Sequence, residues 1–105
     1  MTWGIKGVYI VELKNGKYYV GESQNIGIRL LDHLTRPSGI VKRYKYRKLV
    51  RYYEMPNSSR KEREIKENAI TLSLMDKYEI ENVYGGIFTT RIRRTLKNIT
   101  FHKKK

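Results

Sequence analysis

Six side chains in this sequence have types and spacings that could handle a phosphate: Tyr9, Tyr19, Arg29, His33, Glu67 and Asn82. Hydrolysing a phosphodiester requires an activated water, neutralisation of developing negative charge, and help for the leaving oxygen. Arg29 is a permanent cation whose planar fork suits phosphate oxygens. His33 follows it by four residues, so on a helix the two share one face and His33 could relay a proton or hold the phosphate. Glu67 offers a hard oxygen ligand. One carboxylate, several waters and a substrate phosphate can complete the octahedral shell of Mg²⁺. On residue type alone Glu67 is no better than Glu64, because Arg60 to Glu67 is dense with charges that also suit solvated ion pairs. The phenols titrate near ~10 and are poor bases at neutral pH unless cations or a metal lower that value. Asn82 reads equally as a turn residue before Gly85-Gly86.

The elements that must position these groups are legible as one α+β domain. Val8, Tyr9, Ile10, Val11 and Leu13 are strand formers, and Asn15-Gly16 is a hairpin turn signal before Tyr18, Tyr19 and Val20. Ser23 then caps a helix over about 24–35, with Ile26, Leu30, Leu31 and Leu34 at helical spacing. Pro37-Ser38-Gly39 reads as a turn, and residues 47–55 as a third strand. Ser58 or Ser59 opens the longest helix, to about Tyr78, with an expected core face of Ile65, Ala69, Leu72 and Met75. Asn82 to Gly86 reads as a loop. A short basic helix over about 89–98 and a basic tail at about 99–105 complete the chain. The expectation is a small three-stranded antiparallel sheet flanked by helices, in the order β-β-α-β-α-α, making residues 1–105 a single domain.

The hairpin register can be tested against the chemistry. Strand side chains alternate between faces, so Tyr9 and Tyr19 must share a face to meet in one site. A two-residue turn at Asn15-Gly16 places them on opposite faces. A three-residue loop from Lys14 to Gly16, with Gly16 in the left-handed bulge position, opposes Val11 to Tyr19 and Tyr9 to Gly21. That bulged hairpin puts both phenols on one face.

Charge names the partner class. The 105 residues hold 23 Lys and Arg against 10 Asp and Glu, a net charge of +13. The excess lies in two segments that carry no acid. One holds Arg36, Lys42, Arg43, Lys45, Arg47, Lys48 and Arg51. The other holds Arg91, Arg93, Arg94, Lys97, Lys103, Lys104 and Lys105. Interleaved with Tyr44, Tyr46, Tyr52 and Tyr53, such cations suit a phosphate backbone and stacked bases. Residues 42–53 and 91–105 are therefore the expected nucleic-acid track. No wide-faced amphipathic basic helix favours a membrane surface instead. Cysteine is absent, which excludes disulfides and Cys-based zinc sites. No run is long enough to span a membrane and no signal-peptide layout opens the chain, so an intracellular, soluble protein is the expectation.

The ordered set of motifs resembles the GIY-YIG nuclease family. Gly7-Val8-Tyr9 and Tyr19-Val20-Gly21 match its two signature tripeptides, with Val8 and Val20 as conservative variants. Arg29 and His33 match its Arg-x-x-x-His helix, and Glu67 and Asn82 its metal-binding glutamate and downstream asparagine. The spacing to Thr71 and Asn82 is what selects Glu67 over Glu64. The stretch from Glu67 to Thr71, then Met75, then Asn82 to Gly86, is similar to a viral-type subgroup and hints at a phage or mobile-element origin. Glu79 stands where that subgroup usually has glycine, and Tyr84 where it usually has arginine. The resemblance implies a metal-dependent endonuclease using Mg²⁺ or Mn²⁺ on nucleic acid, DNA in preference to RNA, acting as a monomer or dimer. It implies that Tyr9 helps deprotonate the attacking water and that Tyr19 positions the water or the phosphate. The alternative is a catalytically inactive nucleic-acid-binding module on the same fold. A small basic structural protein is a third possibility.

Overall fold

A computed structural model describes residues 2–86. The elements run β1 (Gly7–Leu13), β2 (Tyr18–Ser23), α1 (Ile26–Thr35), α2 (Gly39–Tyr44), β3 (Tyr46–Glu54), α3 (Arg60–Tyr78) and β4 (Val83–Gly85), with one 3₁₀ turn at Ile80–Asn82. They build an α+β fold around a four-stranded mixed sheet of order β3-β1-β2-β4. The expectation of three antiparallel strands is corrected here: β4 pairs with β2 in parallel, Tyr19 opposite Tyr84. Three residues containing a glycine are too short to show a strand period, so the stretch reads as loop from sequence. The turn expected at Pro37-Ser38-Gly39 runs instead into α2. There Ile40, Val41 and Tyr44 reach the core while exposed basic residues between them hide the helical pattern. The basic helix expected at 89–98 and the tail at 99–105 lie outside the described residues.

The first hairpin has the bulged register. Leu13 N–H donates to the Lys17 carbonyl at 2.8 Å and Gly16 N–H to the Leu13 carbonyl at 2.9 Å, with Gly16 at φ 85°. Tyr9 then faces Gly21 and Val11 faces Tyr19. Only a residue tolerant of positive φ serves at that turn.

β1 is buried on both sides and separates two apolar layers. Val8, Ile10 and Val20 pack with Ile70, Met75, Ile80 and Val83 on the α3 side. Tyr9, Val11 and Leu13 pack with Ile26 and Val41 on the α1–α2 side. α1 starts two residues later than expected, because Asn25 is the cap. Its side-chain oxygen accepts from Ile28 N–H, while Ser23 Oγ accepts from Asn25 N–H. Ser59 caps α3 in a reciprocal box with Glu62, which satisfies two otherwise orphaned donors.

The expected core face of α3 is wrong except at Met75. Ile65 is 61% exposed and Leu72 43% exposed, and Ala69 is exposed. The buried stripe is Arg63, Glu67, Ile70, Thr71 and Met75. Arg63, Glu67, Thr71 and Met75 follow one another at four-residue spacing, one helix face. Their polarity disguises it as solvent-facing. The helix instead turns its polar stripe inward, where Arg63 and Glu67 find partners.

Candidate active site

Tyr9 rises from β1 beneath Gly21 of β2, where an added Cβ would run into the Tyr9 ring. The glycine is thus what lets the phenol lie across the neighbouring strand. The Tyr9 hydroxyl meets His33 Nε2 at 2.8 Å. Tyr19 leaves the same face, with its ring 6.4 Å from that of Tyr9 and 5.7 Å from His33. Tyr46 of β3 stacks on the imidazole at 6.5 Å and 20°. Arg29, one turn before His33, is close enough for its charge to favour ionisation of both phenols. Its side chain remains 41% exposed and approaches Asp32 at 3.9 Å. Arg29 and half-buried Tyr19 are therefore the solvent-facing side of the cluster, with Tyr9 and His33 behind them.

Glu67 arrives from the opposite layer. β4 covers β2 only from Tyr18 to Val20, so the edge beyond Val20 is left for the α3 side chain to approach. Gly86 N–H, just past β4, donates to Glu67 Oε2 at 3.2 Å. The Glu67 charge is felt by both phenols. The structure thus packs Tyr9, Tyr19 and His33 together and brings Arg29 and Glu67 within electrostatic reach of both phenols.

Asn82 stands apart as a brace. Its Nδ2 donates to the Tyr78 carbonyl at 2.8 Å and closes the end of α3, while its Oδ1 accepts from Lys17 Nζ at 3.4 Å. Thr71 Oγ1 turns back to the Glu67 carbonyl at 2.7 Å.

Burial dominates the electrostatics. It pushes both phenols above their ordinary value. For Tyr9 the neighbouring Tyr19 adds to this, and for Tyr19 the Glu67 charge does. Arg29 opposes both shifts without overcoming them. The nearby cation therefore does not make either phenol acidic in the free protein. Burial and the Arg29 charge lower His33 to about 4, so its imidazole is neutral at pH 7. In the tautomer that carries its proton on Nδ1, Nε2 accepts from the Tyr9 hydroxyl. Glu67, 9% exposed, is pushed up to about 7 by burial; the Gly86 bond opposes this, while the Glu22 and Glu64 charges reinforce it. A buried carboxylate with carboxylate neighbours is a hard-oxygen donor held at high potential energy, which a divalent cation would relieve. The residues present fit such an ion, although no cluster of three or more His, Cys, Asp or Glu forms among the described residues.

Two groups escaped the sequence reading. Arg63 is buried and donates from Nε to Glu22 Oε1 at 2.9 Å and from an amino group to the Ser58 carbonyl at 2.8 Å. It ties the start of α3 to β2 one turn before Glu67. The four-residue spacing to Glu67 was its signal. Lys17 is pinned by the Glu81 carbonyl at 2.8 Å together with Asn82, and nothing local in the sequence marks it. Of the expected nucleic-acid track, Lys42 and Arg43 on α2, Lys45 between α2 and β3, and Arg47, Lys48 and Arg51 on the edge strand β3 are exposed. Arg47 and Lys48 both approach Glu12, at 3.2 and 4.0 Å. Arg91, Arg93, Arg94 and Lys97 lie outside the described residues. No helix among the described residues is long and apolar enough to cross a membrane.

An arginine, a neutral histidine, two phenols and a buried carboxylate thus gather around one mixed sheet, side chains of the types that phosphate hydrolysis uses. Residues 5–79 match the family model of the GIY-YIG catalytic domain. The chain belongs to that family of phosphodiester-hydrolysing nucleases, whose members generally use a divalent metal. The match defines the domain and does not support a viral or phage origin. No curated protein and no solved structure matches the chain.

Proposed function

We propose that this chain is a metal-dependent endonuclease acting on DNA in preference to RNA, with residues 1–105 forming one catalytic domain. The observation that carries this reading is the convergence of Arg29, the Tyr9–His33 pair and Tyr19 with the buried Glu67. Glu67 would hold Mg²⁺ or Mn²⁺, which when bound polarises the phosphate and neutralises its developing charge.

The chain's own residues account for the rest. Arg29 turns its fork from the two phenols to the phosphate oxygens, which uncovers the Tyr9 oxygen. Tyr9 takes a proton from the attacking water as its own proton passes to His33 Nε2, along the 2.8 Å bond already in place. Burial is the main reason His33 is neutral and the Arg29 charge adds to it; the phosphate's negative charge offsets the Arg29 part, so the imidazole gains basicity when substrate arrives. Tyr19 holds the water or the phosphate in line. Asn82 braces α3 and so the approach of Glu67. Lys42, Arg43, Lys45, Arg47, Lys48 and Arg51, continued by Arg91, Arg93, Arg94 and Lys97, carry the nucleic-acid backbone.

The test is nicking of supercoiled plasmid in Mg²⁺, with and without chelator, by the parent and by folded Glu67→Gln. Cleavage by the parent that chelator stops and Glu67→Gln lacks is the expected result. Retarded but intact DNA with the parent would instead define a binding module. Cleavage by Glu67→Gln near the parental rate would move the metal-ligand role to another carboxylate.

A further inference from the structure

Beside the catalytic cluster lies a second group of rings that the hydrolytic chemistry does not use. In a parallel pair, residues in register point the same way. Tyr84 of β4 is in register with Tyr19, so it leaves the face that carries Tyr9 and His33. Tyr44, at the end of α2, stacks on Tyr84 with centroids 5.9 Å apart and planes at 27°. Both rings are only partly buried. Each carries a cation: the Arg43 guanidinium sits 5.3 Å from the Tyr44 centroid, and Lys17 Nζ 6.0 Å from that of Tyr84. Lys17 is held there by the Glu81 carbonyl and Asn82.

Flat rings alternating with cations beside a phosphate site suit a strand whose bases are free to stack and whose phosphates pair with the cations. A continuous duplex offers this face only phosphates and groove edges, since its base faces are covered by their neighbours. We propose that Tyr44 and Tyr84 form a stacking wall for one unpaired nucleobase next to the scissile phosphate. The preferred substrate then carries an unpaired nucleotide beside the cut, as in a single strand, loop or flap. Arg43 and Lys17 take the flanking phosphates. This inference rests on the nucleic-acid reading of the site and adds the substrate's local structure to it.

The experiment measures binding without turnover. Glu67→Gln protein in chelator is titrated with a short single strand carrying 2-aminopurine and with the matching duplex. Quenching of the single-strand fluorophore on binding is expected, with little change in the duplex. In that background, Tyr84→Leu and Tyr44→Leu should weaken single-strand binding about 5- to 100-fold, the range for losing one stacked base, and leave duplex affinity nearly unchanged. Tyr84→Phe keeps the ring and should bind as the parent does, which separates stacking from loss of fold. Unquenched fluorophore, or equal losses for single strand and duplex with folded variants, would overturn the wall. Failure of the parent to nick plasmid, with quenching intact, would remove the nuclease reading and leave the wall standing.

Discussion

Replacing Glu67 by Gln should make the metal-free protein more stable above neutral pH, although it removes the residue assigned to the metal. Glu67 ordinarily ionises near 4.5 and is raised to about 7 in the fold, first by burial and then by Glu22 and Glu64. Below pH 4.5 the carboxyl is protonated in both folded and unfolded chains and contributes no pH dependence. Between pH 4.5 and 7 the folded state binds more protons than the unfolded one, so stability falls as pH rises. The displacement corresponds to about 3 kcal/mol once both states are ionised. Gln fills nearly the same space and can still accept the Gly86 N–H through its carbonyl, but it never ionises. His33 has the opposite sign: lowered to about 4, it takes stability away as pH drops below 6.5. It is common to both proteins, so the difference between them isolates Glu67.

The assay is thermal or urea melting of parent and Glu67→Gln in chelator from pH 4 to pH 8.5. The curves should coincide near pH 4 and diverge through pH 7, with Gln ahead by up to about 3 kcal/mol. For a domain of this size that is on the order of 10–20 °C in Tm. Adding Mg²⁺ at pH 8 should raise the parent and leave Glu67→Gln unmoved, because only the anionic carboxylate gains from the ion. Parallel curves across the whole range would refute the buried, unneutralised carboxylate on which the metal assignment rests.

Three further outcomes follow from the geometry. Gly21→Ala places a Cβ against the Tyr9 ring and hydroxyl; it should cost about 1–3 kcal/mol by overpacking and, by displacing the phenol from His33, depress plasmid cleavage in the folded fraction. Glu79→Gly should raise the urea midpoint, since Glu79 sits at φ 78° and ψ 150°, a region that costs a side-chain-bearing residue about 1–3 kcal/mol; a lower midpoint would contradict that backbone. Ile65→Lys should change stability by less than about 0.5 kcal/mol, whereas Met75→Ala should cost about 2–5 kcal/mol, and equal losses would restore the apolar-face reading of α3.

The hairpin was legible because chemistry and register constrain each other. Two phenols can meet only if Gly16 takes the bulge, and it does. Arg29 and His33 were legible from a four-residue spacing, the first helix from its apolar spacing although Asn25 and not Ser23 is its cap, and the longest helix from its serine cap. β4 and α2 were not. A three-residue strand has no measurable period, and α2 hides three inward residues among exposed cations. The face of α3 was misread for a deeper reason. Apolar periodicity finds a core only where the core is apolar, and this helix buries Arg63 and Glu67 in preference to Ile65 and Leu72.

That inversion links fold to function. An arginine and a glutamate a turn apart would be expensive to bury alone. Arg63 is matched by Glu22 and the Ser58 carbonyl, which locks the start of α3 against the end of β2. Glu67 has one backbone N–H, two carboxylate neighbours and only the weaker pull of the Arg60 charge to set against its burial. Its energetic deficit is therefore local, and the Arg63 tie gives the helix a reason to stay in place while that deficit persists. β4 completes the arrangement by pairing with β2 only as far as Val20. A longer β4 would close the sheet edge over Gly21 and separate Glu67 from the phenols. The shortness that concealed this strand in the sequence is thus what allows groups from both layers to share one site.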